Sequence, residues 1–242
     1  MYMKINSPSD VIWALLPGLL CDSRMFGAQL AALPGAICMD GFYGGADRIE
    51  AMADHALARL PAKVSLLGHS MGARVALEIV RRAPGRVERL ILADTGIHPV
   101  RPGEREKRYA LRDLGRERGM AALVDAWLPP MMAPVRRADP ALFAPLRSMA
   151  IDAGIAIYEA QIEALLHRPL VDDLLPAIAC PTLAIVGAED LWSPPAQHED
   201  IRRRIPGADL RVVSDAGHMA PAENPHEFTS QIREWIGLGA DA

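Results

Sequence analysis

The sequence has few cysteines, no excess of positive charge and no apolar run of membrane-spanning length. Its three cysteines, Cys21, Cys38 and Cys180, are too few and too scattered for a disulfide framework or a zinc site, which favours a reducing compartment. The net charge of −4 provides no basic footprint for nucleic acid. No stretch approaches the roughly 20 apolar residues that a membrane helix needs. We therefore expect a cytoplasmic protein with neither nucleic acid nor membrane as a partner.

One N-terminal run needs separate consideration, because "VIWALLPGLLC" (Val11 to Cys21) is apolar and ends in cysteine. Such a run could mimic a secretion or lipoprotein signal. However, Pro17-Gly18 interrupts it, and Leu20 stands before the cysteine where a cleavage site requires a small residue. We expect no signal peptide here and a chain that is complete as it stands.

The 242 residues are 50% apolar and 23% charged, which is ordinary for a globular protein. Several short apolar runs are continuous rather than alternating, as expected for strands buried on both faces. Helical patterns separate most of them, so the sequence predicts the α/β class, with a doubly wound and mostly parallel sheet of about six strands. Functional residues then belong at the carboxyl ends of the strands. The runs are "VIWALLPG", "AICMDG", "VSLLGHS", "RLILADTG", "TLAIVGAED" and "LRVVSDAGH".

The strand-helix alternation is interrupted once, between residues 97 and 172, where the sequence shows only helical patterns punctuated by prolines. Because this segment leaves from the carboxyl end of a strand, we interpret residues 97–172 as a helical cap, or lid. Residues 1–96 and 173–242 then form the core. The alternative is a helical layer that packs elsewhere on the sheet.

The stretch "LLGHSMGARVALE" places Ser70 between two glycines where a strand pattern gives way to a helix pattern. Gly-x-Ser-x-Gly in this context is typical of a nucleophile elbow, a tight turn that exposes the serine oxygen. The turn leaves no room for side chains at Gly68 and Gly72. The helix that begins near Met71 points its amide groups at a developing oxyanion. The alternative is a glycine-rich turn with an idle serine.

A nucleophilic serine requires a base, and the base requires an orienting carboxylate. In an elbow architecture these residues follow the serine in the order acid, then histidine. Asp190 follows one predicted strand and His218 follows the last one, so both fit. Asp190 could instead cap the next helix, and His218 could be a polar loop residue. Asp94, after "RLILA", is the competing acid.

The motifs "GHSMG", "GAEDLWSPP" and "AGHMAPAENP" together resemble the α/β-hydrolase superfamily over essentially the whole chain. The resemblance is to small bacterial carboxylesterases, enol-lactone hydrolases and pimeloyl-carrier-protein methyl esterases. It implies a parallel sheet, a helical cap after "LADTG" and no metal or other cofactor. It also implies that Ser70 is the nucleophile, Asp190 the acid and His218 the base.

The expected oxyanion hole departs from the family pattern. The family usually has His-Gly after its early strand, whereas this chain has Pro17-Gly18 there. Backbone amides form the hole, so the chemistry tolerates the loss of that histidine, but Pro17 has no amide to donate. We assign the amides of Met71 and Leu19, with Leu20 as the alternative to Leu19.

The substrate pocket is the least determined part of the site. Trp127, Met131 and Met132 of the cap and Trp192 after the acid would suit an adaptable apolar acyl pocket, although the cap residues could equally be the cap's own core. A series of arginines could attract an anionic carrier, but interleaved carboxylates favour a solvated helix face. These arginines are Arg101, Arg105, Arg108, Arg112, Arg116 and Arg118.

The histidines other than His218 do not belong to a catalytic motif in the sequence. We interpret His69 as structural, and expect the others to be surface or capping residues. His98 begins the cap region and so could line the site. The remaining ones are His55, His167, His198 and His226.

Three functions of different classes remain open. The first is hydrolysis of a carboxylic ester or lactone of a small to medium apolar acyl group, through an acyl-enzyme on Ser70. The second is carbon–carbon bond hydrolysis of ring-cleavage products with the same triad. The third is non-catalytic ligand binding on a hydrolase fold, against which the triad argues. The expected partner is a small-molecule ester, with an acyl carrier as a further option, and the protein is expected to be a monomer or homodimer.

Overall fold

A computed structural model describes residues 12–239. Val11, the first residue of the first apolar run, lies outside the described residues.

In the described part of the chain, six strands form one sheet in the order β2-β1-β3-β4-β5-β6, and every neighbouring pair is parallel. Each strand overlaps one of the six apolar runs, which confirms the predicted doubly wound parallel sheet. The strands are β1 (Trp13–Leu16), β2 (Ile37–Cys38), β3 (Val64–His69), β4 (Val87–Ala93), β5 (Thr182–Gly187) and β6 (Asp209–Val213).

Helices connect the strands. The α-helices are α1 (Gly27–Ala32), α2 (Ile49–Leu57), α3 (Met71–Arg82), α4 (Glu104–Trp127), α5 (Pro134–Arg137), α6 (Pro140–Ala153), α7 (Ile155–Leu166), α8 (Pro195–Arg204), α9 (Ala220–Glu223) and α10 (Pro225–Trp235). Short 3₁₀ segments lie at Ser23–Phe26, Phe42–Gly45, Pro84–Arg86, Pro129–Met131 and Leu175–Ala177.

The strand order places a topological switch point between β1 and β3. From β1 the chain moves outward to β2, then returns to the other side of β1 to form β3 and continues away from it. Because parallel crossovers are right-handed, reversing the direction places the connecting helices on opposite faces and opens a crevice between the two strands. Leu16 pairs with Gly68, so the loops that follow β1 and β3 start side by side at this crevice.

The connection between β4 and β5 contains the predicted insertion. Residues 97–172 form no strand and contain α4 to α7. The sequence separates two helical patterns around Gly119, and α4 is interrupted there, because Gly119 takes φ 84° and ψ 165°. Gly154, with φ 81°, similarly separates α6 from α7.

Among the described residues, no helix taken singly has the length and apolar composition to cross a membrane. The pair α6 and α7 meets these criteria only when joined across its 88° bend.

Candidate active site

Ser70 lies on a sharp turn between β3 and α3, with φ 54° and ψ −114°. A non-glycine residue with positive φ is strained, and surrounding contacts must hold it there. A side-chain carbon at Gly68 would collide with the backbone of Ala73, and one at Gly72 would overlap the carbonyl oxygen of Leu16. The two glycines therefore permit β3, α3 and the end of β1 to approach closely enough to form the turn.

Ser70, His218 and Asp190 are joined by consecutive hydrogen bonds. The Nε2 atom of His218 lies 2.8 Å from the Oγ of Ser70, and its Nδ1 lies 2.8 Å from Oδ2 of Asp190. An ionised carboxylate can only accept, so Nδ1 carries the proton and Nε2 presents a lone pair to the serine hydroxyl. The three residues come from loops after β3, β5 and β6, whose carboxyl ends share one edge of the sheet.

The carboxylate of Asp190 is buried, and both of its oxygens accept hydrogen bonds. Its Oδ1 accepts hydrogen bonds from the backbone amides of Trp192, at 2.8 Å, and Ser193, at 2.9 Å. Burial opposes ionisation, but His218 and these two amides outweigh it, and the pKa of Asp190 is lowered. Asp190 is therefore a fixed anion that holds the imidazole in one orientation.

Asp94, the competing acid, lies elsewhere. It is fully buried after β4, and its Oδ1 accepts the amide of Gly187 at 2.9 Å. Its Oδ2 has no hydrogen-bond donor among the described residues and lies 3.9 Å from Nε2 of His69. Burial and the neighbouring Asp190 raise the pKa of Asp94 well above its ordinary range. The structure thus gives His218 one carboxylate partner, and that partner is Asp190.

The loop after β1 lies against the nucleophile. A side chain at Gly18 would come within 2.8 Å of His69 and 3.1 Å of the Cβ of Ser70, so glycine permits the close approach. The hydroxyl of Tyr43 donates to the carbonyl of Pro17 at 2.9 Å and fixes the start of this loop.

The two candidate oxyanion donors of this loop differ in their partners. The amide of Leu20 donates to the side-chain oxygen of Gln161, a buried residue of α7, at 2.8 Å. Its hydrogen bond is thus already made. The amide of Leu19 has no acceptor within residues 12–239, and neither has that of Met71 at the start of α3. Leu19, Met71, Ser70 and His218 all line one cavity, so the geometry favours Leu19 over Leu20.

Glu223, which the sequence analysis did not single out, holds the histidine loop in place. One carboxylate oxygen accepts the amides of Gly217 and Met219, which flank His218, both at 3.0 Å. The other accepts the amide of Ala133 at 2.7 Å. The amide of His218 itself donates to the carbonyl of Met131 at 2.7 Å. The insertion is therefore attached directly to the loop that carries the histidine.

A cavity of about 460 Å³ lies between the elbow and the insertion, and it contains Ser70 and His218 in its wall. Of the four predicted pocket residues, Trp127, Met131 and Trp192 line it. Met132 does not line it, and this residue is only 1% exposed. The expectation for Met132 was therefore wrong.

Three of the other histidines have positions that bear on the site. His69 is buried and donates from Nε2 to the carbonyl of His218 at 2.7 Å, as befits a structural residue. His98 lines the cavity. The expectation that His198 is a surface or capping residue was wrong: it is fully buried, and its Nε2 accepts the amide of Thr95 at 2.9 Å. Burial lowers the pKa of His198 to about 4, so it is neutral.

Solved structures with a similar fold include an esterase and an enol-lactonase. An esterase from Thermogutta terrifontis, solved with malate bound, has a TM-score of 0.83 and 30% identity, and the alignment covers 96% of this chain and 91% of that one. An enol-lactonase from Burkholderia xenovorans has a TM-score of 0.82 and 25% identity, with 93% and 91% covered.

Curated relatives share similar or lower sequence identity with this chain. An sn-1-specific diacylglycerol lipase from Mus musculus is 23% identical over 191 residues, covering 71% of this chain and 58% of that protein. A pimeloyl-acyl-carrier-protein methyl ester esterase from Neisseria meningitidis is 25% identical over 193 residues, covering 78% and 62%. In both, the matched region is less than two thirds of the relative's length.

A sequence model of a protein family also matches this chain. The model of the alpha/beta hydrolase family matches residues 15–231, which span every strand except the first two residues of β1, together with Ser70, Asp190 and His218. The chain belongs to the α/β-hydrolase family.

Proposed function

We propose that this chain is a serine hydrolase that cleaves carboxylic esters or lactones through an acyl-enzyme on Ser70. The observation that carries the proposal is the unbroken line of hydrogen bonds from Ser70 through His218 to Asp190, each 2.8 Å long, at the wall of the cavity. The esterase and the enol-lactonase of the same fold support the reaction class.

The proposed mechanism uses the same three groups in both half-reactions. His218 takes the hydroxyl proton while the Oγ of Ser70 attacks the substrate carbonyl. Asp190 stabilises the resulting imidazolium through the bond to Nδ1. The leaving alcohol departs with the proton from Nε2, and a water molecule then attacks the acyl-enzyme by the same route.

The amides of Leu19 and Met71 stabilise the oxyanion in this proposal. One lies in the loop that Gln161 holds at Leu20 and the other begins α3, so the fold positions both without a substrate, the condition under which such donors lower a barrier most. The dipole of α3, which begins at Met71, adds to the effect.

We further propose that residues 97–172 act as the cap and help to select the acyl group. Trp127, Met131 and Tyr158 from this segment face the same cavity as Ser70. Methionine fills irregular spaces and adapts to different chains, which suits an apolar acyl group of small to medium size.

An ester panel tests the reaction class against carbon–carbon hydrolysis, which uses the same triad. We expect hydrolysis of p-nitrophenyl acetate and butyrate, unaffected by a chelator, and little cleavage of a vinylogous 1,5-diketone of the ring-cleavage type. If the diketone is cleaved with the higher kcat/KM, the carbon–carbon reaction is the correct assignment. If neither compound reacts, the protein is a binding protein on this fold.

Gln161 provides a test of the oxyanion loop. Gln161→Leu would leave the buried amide of Leu20 unpaired and release the loop that carries Leu19. We expect kcat to fall by about 10- to 100-fold, less than the loss of an oxyanion donor outright. Gln161→Glu keeps an acceptor oxygen and is the matched control, which should retain more activity. Equal loss in both variants, or no loss in either, would contradict this role.

Met131 and Met132 form a natural pair for testing the cap. Met131 lines the cavity, whereas Met132 is buried beside it without reaching the cavity. We expect Met131→Ala to change relative kcat/KM across p-nitrophenyl acetate, butyrate and octanoate by about tenfold. Met132→Ala should leave that preference unchanged and lower the free energy of unfolding by about 2–4 kcal/mol. If both variants change the chain-length preference equally, Met131 does not contact the acyl chain more directly than Met132 does, and the prediction is wrong.

A further inference from the structure

Arg74 occupies an unusual position one turn after the nucleophile. It lies on α3 four residues after Ser70, about 6 Å further along the helix axis. Its side chain lines the same cavity as Ser70, yet the residue is only 5% exposed. Residues four apart share a helix face, so the guanidinium belongs to the wall on which Ser70 lies.

Among the described residues, no carboxylate bonds directly to this guanidinium, although Glu104 and Asp172 lie near enough to attract its charge. No Asp or Glu within residues 12–239 forms an ion pair with Arg74, and its one hydrogen bond runs from Nη2 to the carbonyl of His98 at 2.7 Å. A guanidinium has five N–H groups, and burying it without a counter-ion is costly. Burial and the nearby Arg168 lower the pKa of Arg74 to about 9 against the opposing pull of Glu104 and Asp172, which still leaves it charged at neutral pH.

The one carboxylate among the cavity-lining residues is already neutralised. Glu104 accepts from Arg168 at 2.6 and 2.8 Å and from Arg108 at 2.8 Å. Burial opposes its ionisation, but these bonds prevail and hold the pKa of Glu104 at about 2. Arg101 and Lys107 add two more positive charges to the cavity wall. The sequence pattern favoured a solvated helix face for all the arginines of the cap. The structure differs for two of them, because Arg101 and Arg108 line the cavity.

Resting on the proposed function, we propose that Arg74 binds a carboxylate of the substrate, so that the preferred substrates are esters or lactones that carry a second, free carboxylate. A planar guanidinium forms paired hydrogen bonds with a carboxylate, and in a site shielded from water this interaction is strong. The substrate would supply the directly bonded carboxylate that Arg74 lacks among the described residues. The apolar residues Trp127 and Met131 would contact the carbon chain between the two groups.

Matched methyl esters test this proposal. Monomethyl glutarate and methyl pentanoate have acyl chains of equal length and differ in a terminal carboxylate against a methyl group. We expect wild-type protein to hydrolyse the glutarate ester with the higher kcat/KM. Arg74→Met should lower the ratio of the two kcat/KM values by at least about 30-fold. Arg74→Lys, which keeps the positive charge, should retain more of the ratio.

Arg81→Met is the matched control, because Arg81 lies on the same helix, pairs with Glu78 and does not line the cavity. It should leave the ratio unchanged. If Arg74 only held the His98 carbonyl in place, its substitution would slow both esters alike and preserve the ratio. An unchanged ratio in Arg74→Met, or a wild-type preference for methyl pentanoate, would overturn the proposal.

A binding measurement separates this proposal from the proposed function. Calorimetry with glutarate should show binding to Ser70→Ala and a loss of at least about 30-fold in affinity when Arg74→Met is added. Glutarate binding that depends on Arg74, in a protein that hydrolyses no ester, would overturn the hydrolase assignment and leave the carboxylate site standing. If the protein hydrolyses esters but its binding of glutarate does not depend on Arg74, the carboxylate site is wrong and the hydrolase assignment stands.

Discussion

Asp190→Asn should lower kcat on a p-nitrophenyl ester by three to four orders of magnitude while the fold stays intact. The side-chain oxygen of asparagine would accept the amides of Trp192 and Ser193. Its NH₂ group would then face Nδ1 of His218 and force the ring proton onto Nε2. In that tautomer the imidazole cannot accept the proton of Ser70, and the corresponding change in a serine protease costs about 10⁴-fold.

Asp94→Asn is the matched control and should cost less than tenfold in kcat. Asparagine can accept the amide of Gly187 as the aspartate does, and Asp94 forms no hydrogen bond with His218. Both variants are measured on the same ester, with circular dichroism to confirm folding. If Asp94→Asn is the inactive variant and Asp190→Asn remains active, the acid is Asp94 and the loop after β5 only begins a helix.

Asp94→Asn should also change stability in a direction fixed by the raised pKa of this carboxyl. A raised pKa means that the folded state binds the proton more tightly than the unfolded chain. The contribution of Asp94 to the free energy of unfolding therefore falls as pH rises above about 4, its ordinary pKa. Asparagine does not titrate. The Tm of the variant, relative to wild type, should be higher at pH 7 than at pH 4.

Ser70→Ala should lower kcat by roughly 10⁵- to 10⁶-fold, the largest effect we expect from any single substitution. The change removes the nucleophile and leaves the elbow, the imidazole and the oxyanion donors in place. Since the strain at φ 54° belongs to the backbone, alanine is held in the same conformation as serine, and Tm should change little. Residual turnover within tenfold of wild type would show that the elbow is a structural turn.

The sequence contained most of the fold and the triad because both depend on local patterns. Continuous apolar runs predict parallel strands, and all six are present, although the edge strands β2 and β6 are largely exposed rather than buried. The elbow depends on the close spacing of Gly68, Ser70 and Gly72, because side chains at the two glycines would collide with neighbouring backbone. Chain order then limits the acid and the base to a few residues after later strands. The choice of Asp190 over Asp94 agrees with the hydrogen bond to His218, and the activity measurements above remain its test.

The residues that support the triad could not be found in the same way, because their partners are remote in sequence. Gln161 bonds to Leu20 across 141 positions, and Glu223 bonds to Ala133 across 90. No local pattern predicts such pairs. Met132 was misplaced for a related reason: adjacent methionines look alike in sequence, and which of them faces the cavity depends on how their segment packs in the folded chain.

Arg74 illustrates a signal that was present but not distinctive. An arginine within the apolar pattern of α3 is ordinary in a sequence, where it reads as a surface residue. Its significance comes from burial without a directly bonded carboxylate among the described residues, which depends on the arrangement of the cap above it.

The most direct test of the account is covalent labelling of the wild-type protein with an activated alkyl phosphonate, followed by intact-mass measurement and peptide mapping. Ser70 is the one residue to which the account gives a nucleophilic role, with its proton removed by His218 at 2.8 Å. We predict one phosphonyl group per chain, attached to Ser70, with ester hydrolysis lost in proportion and no labelling of Ser70→Ala. A label on any other residue, or ester hydrolysis that continues undiminished in fully labelled protein, would contradict it.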